Sequence, residues 1–137
     1  MVAFLLAVTA VLWGAVPIIE KIGLARVDPL VAVTVRSFIV TVSLLTITFL
    51  AGKGNELMEM DRRSLFLFGA SGMMSGVLAM WTYFAALKME ATSKIVPIAA
   101  TYPLVTTLLG ILILGEGLTF ARIIGTALIV SGIWLVK

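Results

Sequence analysis

Ser64 to Leu87 reads SLFLFGASGMMSGVLAMWTYFAAL, a run of 24 residues without one Asp, Glu, Lys or Arg. As a helix rising 1.5 Å per residue it is about 36 Å long, enough to cross the roughly 30 Å hydrocarbon layer of a bilayer. Five buried helices in a soluble protein are the competing reading, and uncharged runs of this length argue against it. Working outward, Gly52-Lys53-Gly54-Asn55 through Asp61-Arg62-Arg63 is the one substantial polar segment before the run, and Lys88 to Lys94 is a short turn after it. Comparable apolar stretches lie on both sides. The sequence predicts an all-α integral membrane protein, a bundle of about five transmembrane helices. The spans fall at about 2–24, 29–51, 64–87, 95–114 and 119–136, within a single domain over 1–137. Pro29 suits the first turn of the second helix, and Thr92 or Ser93 is a candidate cap for the fourth.

Composition points the same way. The chain has 137 residues, 61% of them hydrophobic and only 12% charged, with a mean hydropathy of +1.19. A soluble domain carries about a quarter charged residues to cover its surface; lipid is the solvent that fits half that content. The net charge of +3 comes from ten Lys and Arg against seven Asp and Glu, the basic residues scattered between apolar stretches with only Arg62 and Arg63 adjacent. That distribution suits interfacial anchors and gives no basic face for nucleic acid. With no Cys and no His, thiolate chemistry, Ser-His triads and nearly all transition-metal sites are excluded. Gly52-x-Gly54 lacks the strand context of a nucleotide fold, and Met73-Met74 reads as packing or lipid-facing material. No catalytic residues, cofactor or metal are expected. The start shows no charged n-region or small-residue cleavage site, so the first apolar segment is expected to be a retained helix.

Five crossings put the termini on opposite sides of the membrane. Lys53, Arg62, Arg63 and Arg122 fall on the N-terminal side; Lys21, Arg26, Lys88, Lys94 and Lys137 fall on the other, with Arg36 leaning that way. Orientation follows the Lys/Arg excess, and here it is slight. Two readings stay open: insertion both ways up, giving an antiparallel pair of ten helices, or one orientation set by Arg62-Arg63.

Several short motifs recur in an order that covers nearly the whole chain: Trp13-Gly14; Asp28-Pro29-Leu30 ahead of Arg36; Ala91-Thr92-Ser93 and then Pro103; Leu114-Gly115-Glu116-Gly117-Leu118-Thr119; and Gly125-Thr126-Ala127-Leu128-Ile129-Val130-Ser131-Gly132. In that order and spacing the chain resembles a single EamA-type repeat of the drug/metabolite transporter superfamily. The resemblance implies one half of an inverted-repeat transporter, since most members are two such repeats fused, and an odd span count inverts one half against the other. It implies a transporter, usually an exporter, of amino acids, metabolites or drugs in the cell (inner) membrane. The expected partners are the bilayer, a small-molecule substrate and a second copy in an antiparallel homodimer working by alternating access. The alternative is a non-autonomous subunit or scaffold that pairs with a different five-span half; a fragment of a ten-span protein is a third reading. A membrane-embedded enzyme would need an acid-base cluster, and Glu90 between Lys88 and Lys94 is too little.

Candidate pathway residues follow from helical spacing. Thr9, Trp13, Pro17 and Glu20 share one face of the first helix, where Pro17 leaves the Trp13 carbonyl without its donor. Glu20 and Arg36 are, Lys21 apart, the ionisable residues expected at depth, on the same membrane side across a tight turn. Pairing would reduce the cost of about 2.5–3.5 kcal/mol that insertion scales assign to a charge at mid-helix. They either face the interior at one mouth of the pathway or snorkel to headgroups. Proton coupling through Glu20 is a further reading, opposed by the nearby Arg36 and Lys21. Tyr102, Thr106 and Gly110 form a stripe on the fourth span, where Pro103 frees the Ala99 carbonyl and Pro97 bends the first turn. Trp81 and Tyr83 stand near one level of the third; with Tyr102 they suit a cavity wall or, Tyr102 excepted, an interfacial belt. Gly72 with Gly76, and Gly125 with Gly132, read as helix-packing surfaces. Glu116 reads as a carboxylate near the positive start of the last helix.

Overall fold

The computed structural model describes residues 1–117 and 119–136, without the side chains of Arg122 and Val136. The expectations attached to Leu118, to Lys137 and to the Arg122 side chain therefore lie outside the described residues. The described residues are helical, with no strand among them. Backbone amides in hydrocarbon have no water to bond, and a helix satisfies them within its own segment.

Helix α1 runs Val2–Leu24 and passes through Pro17 without ending. Asp28 stops the following turn and starts α2, Pro29–Leu50: its Oδ1 accepts from the Leu30 amide at 2.8 Å and the Val31 amide at 3.4 Å, with Pro29 at the first helical position. At the far end of α2, Gly52 adopts φ +72°, and the Lys53 amide reaches back to the Thr48 carbonyl at 3.0 Å. A left-handed residue there costs little only because glycine has no Cβ. The polar segment is partly ordered as a short helix, α3, Gly54–Met58, which the sequence did not suggest.

The third span is Arg62–Met89, 28 residues long, and is not uniform. It begins as α4, Arg62–Gly72, passes through a π-helical segment, Met73–Ala79, and continues as α5, Met80–Met89. Asp61 caps α4, its Oδ2 accepting from the Ser64 amide at 2.9 Å. Hydrogen bonds from the Ser64 side chain and then its amide hold the Asp61 carboxyl below the usual carboxylate range. A lowered folded pKa gives stability that is present above the unfolded value and lost as pH falls through the folded one. The α4 cap should thus persist as pH falls to the ordinary aspartate value of 3.8 and fail below it. Proteolysis of the segment before Arg62 should accelerate in that acid window for the native protein, whereas Asp61→Ala should be fast at every pH.

The fourth span, Thr92–Leu114, is 23 residues long and is interrupted. Helix α6, Thr92–Ala99, gives way at Ala100-Thr101 to α7, Tyr102–Leu114. Pro103 offers no amide to the turn before it, and the chain tightens there: the Thr101 amide and hydroxyl both donate to the Ile98 carbonyl, at 3.1 and 2.9 Å. Helix α6 starts one residue earlier than a Thr92 cap requires and two earlier than a Ser93 cap requires. Ala91 holds the cap position, and its carbonyl takes the Lys94 and Ile95 amides at 3.0 and 3.1 Å. Gly115 (φ +67°) ends α7, with the Glu116 amide bonded to the Gly110 carbonyl at 3.2 Å. Helix α8 is Phe120–Val136, 17 residues. At about 26 Å it is a short fifth span, at the lower limit of what crosses a bilayer.

The chain divides into two compact units, Met1–Met89 and Glu90–Lys137. In the first, α5 packs against both α1 and α2; in the second, α6 lies against α8. Four of the described helices are long and apolar enough to cross a membrane, and the windows that qualify them are at most 6% buried. Large apolar side chains therefore point outward nearly everywhere, an arrangement that only lipid or partner helices can cover. This is an all-α, multi-pass membrane protein. Pro17 apart, its buried side chains in the first unit, Leu24, Val33, Phe84 and Leu87, sit toward the α1–α2 turn, while α4 has none.

Candidate functional site

A groove of about 550 Å³ lies between α1 and α2 in the first unit. Val16, Ile19 and Gly23 come from α1, Val35, Ile39 and Val40 from α2, and Phe84 closes it from α5. The two charged residues in its lining are Glu20 and Arg36. Their side chains meet at 3.6 Å, Arg36 Nε to Glu20 Oε1, with Glu20 10% exposed and Arg36 40%. The tight Asp28-capped turn explains the meeting. It lays α2 back along α1, so residues at similar distances from the turn reach one level. Tyr83 lies within electrostatic range of Glu20, and its ring is tilted on Phe84 with centroids 6.2 Å apart.

This end of the unit is also tied by lysines. Lys21 Nζ donates to the carbonyl oxygens of Leu87 and, at 3.3 Å, Lys88; Lys88 Nζ donates to the Val27 carbonyl at 2.8 Å. The last carbonyls of a helix have no partner within it, and the C-terminal end carries partial negative charge. Lys21 thus caps α5, and Lys88 returns to the turn beside α1. Sequence reasoning treated both as anchors reaching toward headgroups; bonds between residues 66, 67 and 61 positions apart leave no local signature.

In the second unit a cavity of about 550 Å³ runs along α7, lined by Thr106, Thr107, Gly110, Ile113 and Glu116 among others. Gly110 is buried, and a Cβ built there would sit 3.4 Å from the Glu116 carboxyl carbon. The Glu116 carboxylate thus lies against α7 at Gly110. The turn at Gly115 directs it, and the bare surface of Gly110 receives it.

The sequence-derived candidates separate into groups. Glu20 and Arg36 share the first groove, with Tyr83 beside them; Pro17 is buried one turn away. Trp13 and Trp81, 65% and 44% exposed, point outward and do not line it. Tyr102 and Thr106 belong to the second unit, where Thr106 lines the cavity and Tyr102 is exposed. A Cβ added at Gly72, Gly76, Gly125 or Gly132 would meet nothing within 4 Å. Among the described residues, then, nothing packs closely on these glycines. Phe84 was missed: attention to aromatics with polar tips favoured its neighbour Tyr83, although the spacing of Phe84 and Leu87 marks one apolar face. Among the described residues no three His, Cys, Asp or Glu side chains gather where a metal ion could be held.

Comparison with known proteins gives two findings. The EamA-like transporter family matches over residues 1–137. The chain is also similar to an uncharacterized transporter in the cobO 3′ region of a Sinorhizobium species, 26% identical over 116 residues, covering 84% of this chain and 81% of that protein. No solved structure matches the chain.

Proposed function

The chain belongs to the EamA-like transporter family, a membrane transporter of the drug/metabolite superfamily and not an enzyme, and from that premise we propose that it exports small organic solutes across the cell (inner) membrane as an antiparallel homodimer. The carrying observation is the apolar α1–α2 groove with one carboxylate and one guanidinium in its lining. Two inverted copies bring two such grooves to a shared axis, and alternating access follows from rocking one copy against the other. The unoccupied faces of Gly72, Gly76, Gly125 and Gly132 support the pairing, because small residues let a second backbone approach closely. With α8 as the fifth crossing, the near-even Lys/Arg distribution supports insertion in both orientations.

Tags on both termini, mapped by membrane-impermeant labelling in cells, test this. A mixed population of orientations is the expected result. A single orientation excludes the antiparallel homodimer and leaves the chain as one subunit beside a different five-span half.

A further inference from the structure

The groove that carries the transport reading also constrains the chemistry of its cargo, and this inference rests on that reading. We infer that the α1–α2 groove takes an amphipathic organic anion, a carboxylate on an apolar body, with Arg36 binding the carboxylate. The walls are aliphatic with Phe84 at the base, so they contribute dispersion contacts and reject a strongly hydrated solute. The volume of about 550 Å³ lies in the range that holds drug-sized molecules. Orientation then falls to the two charged side chains, which are not equally available. Glu20 is 10% exposed and turned into the protein, whereas Arg36 is 40% exposed. The contact between them runs through Nε, and a guanidinium keeps further N–H donors in the fork that matches a carboxylate.

The surrounding charge favours the same ligand. Lys21, Arg26, Arg36 and Lys88 stand at this end of the unit against Glu20 and Asp28. Asp28 is committed to capping α2. Lys21 and Lys88 are tethered to backbone carbonyls at the α1–α2 turn end of the unit. A cationic solute would have to displace Arg36 to reach Glu20. The ammonium of a zwitterion faces the same obstacle. An anion meets the exposed partner directly.

The test is counterflow exchange in liposomes containing the full chain, with three probes that share one body: phenylbutyrate, phenylbutylamine and the amino acid homophenylalanine. Phenylbutyrate should exchange above protein-free vesicles and above the other two. Arg36→Gln should lower its exchange about tenfold, the loss of one charge-assisted contact, and Arg36→Lys should restore part of it. Glu20→Gln removes the repelling carboxylate and should lower the KM for phenylbutyrate several-fold, with each variant's folding checked by a monodisperse elution profile. Preferred exchange of the amine or the amino acid overturns the anion assignment while the transporter reading stands. So does a Glu20→Gln variant that elutes as a monodisperse species yet loses phenylbutyrate exchange. Exchange of none of the three overturns it as well, and a counterflow screen with a mixed metabolite extract then shows separately whether the chain transports at all.

Discussion

Phe84→Ala is expected to lower the stability of the folded protein in bicelles by about 2–4 kcal/mol, the largest loss for any single truncation in the first unit. Phe84 is 3% exposed and meets residues of α1 and α2 at the base of the groove. In water such a truncation forfeits both transfer energy and packing. In a bilayer the dissociated helices keep their apolar side chains in lipid, so the transfer part nearly cancels. What remains is the dispersion lost around a void that neighbours fill only in part. That places the effect at and below the lower end of the range of about 3–5 kcal/mol seen in soluble cores. Leu87→Ala, at a fully buried position, should follow closely, whereas Leu112→Ala, at a position 71% exposed, should change stability by less than about 0.5 kcal/mol. Steric-trap or denaturant unfolding of the three variants side by side measures this. Equal, small effects would mean that α5 does not hold α1 and α2 together.

The second large effect concerns the ion pair and is asymmetric. Arg36→Leu should destabilise by about 1–3 kcal/mol, less than the 3–5 kcal/mol of a fully buried pair because Arg36 is 40% exposed. It strands the Glu20 carboxylate, 10% exposed, in an apolar groove. Glu20→Leu should cost less, since an exposed guanidinium on a long stem can turn toward headgroups. The double variant should be more stable than Arg36→Leu alone. A double-mutant cycle measures the coupling, expected near 1 kcal/mol; additive costs would show that the two groups are neighbours without interacting.

The class of fold was legible because it depends on one-dimensional quantities. Uncharged runs such as Ser64–Leu87 match the bilayer thickness, and a backbone in hydrocarbon has few alternatives to helix. The Glu20–Arg36 proximity was legible for a related reason: a tight turn makes depth on α1 and depth on α2 the same variable. Pro103 signalled the interruption of the fourth span, since a missing amide is written in the residue itself. Features that depend on contacts distant in sequence were not legible. The Lys21 and Lys88 bonds join α1 and its turn to α5, and Phe84 is placed at the groove by the packing of three helices. The approach of Glu116 to Gly110 was not legible either, because it depends on the left-handed turn at Gly115. The π segment had no clear signal beyond Gly72 and Gly76, as its hydrogen-bond register is a property of the packed helix.

That segment, Met73–Ala79, fixes the azimuth of everything that follows it in the third span. A π turn inserts one residue into the α register, equivalent to turning the downstream helix by about 100°. Without that offset the direction now held by Phe84 and Leu87 would fall to adjacent residues, and a tyrosine or an alanine would face α1 and α2. The aim of the groove's base is therefore decided two turns away, by residues outside its lining. A change of chain length between Gly72 and Met80 would re-aim the groove without altering a single residue that lines it.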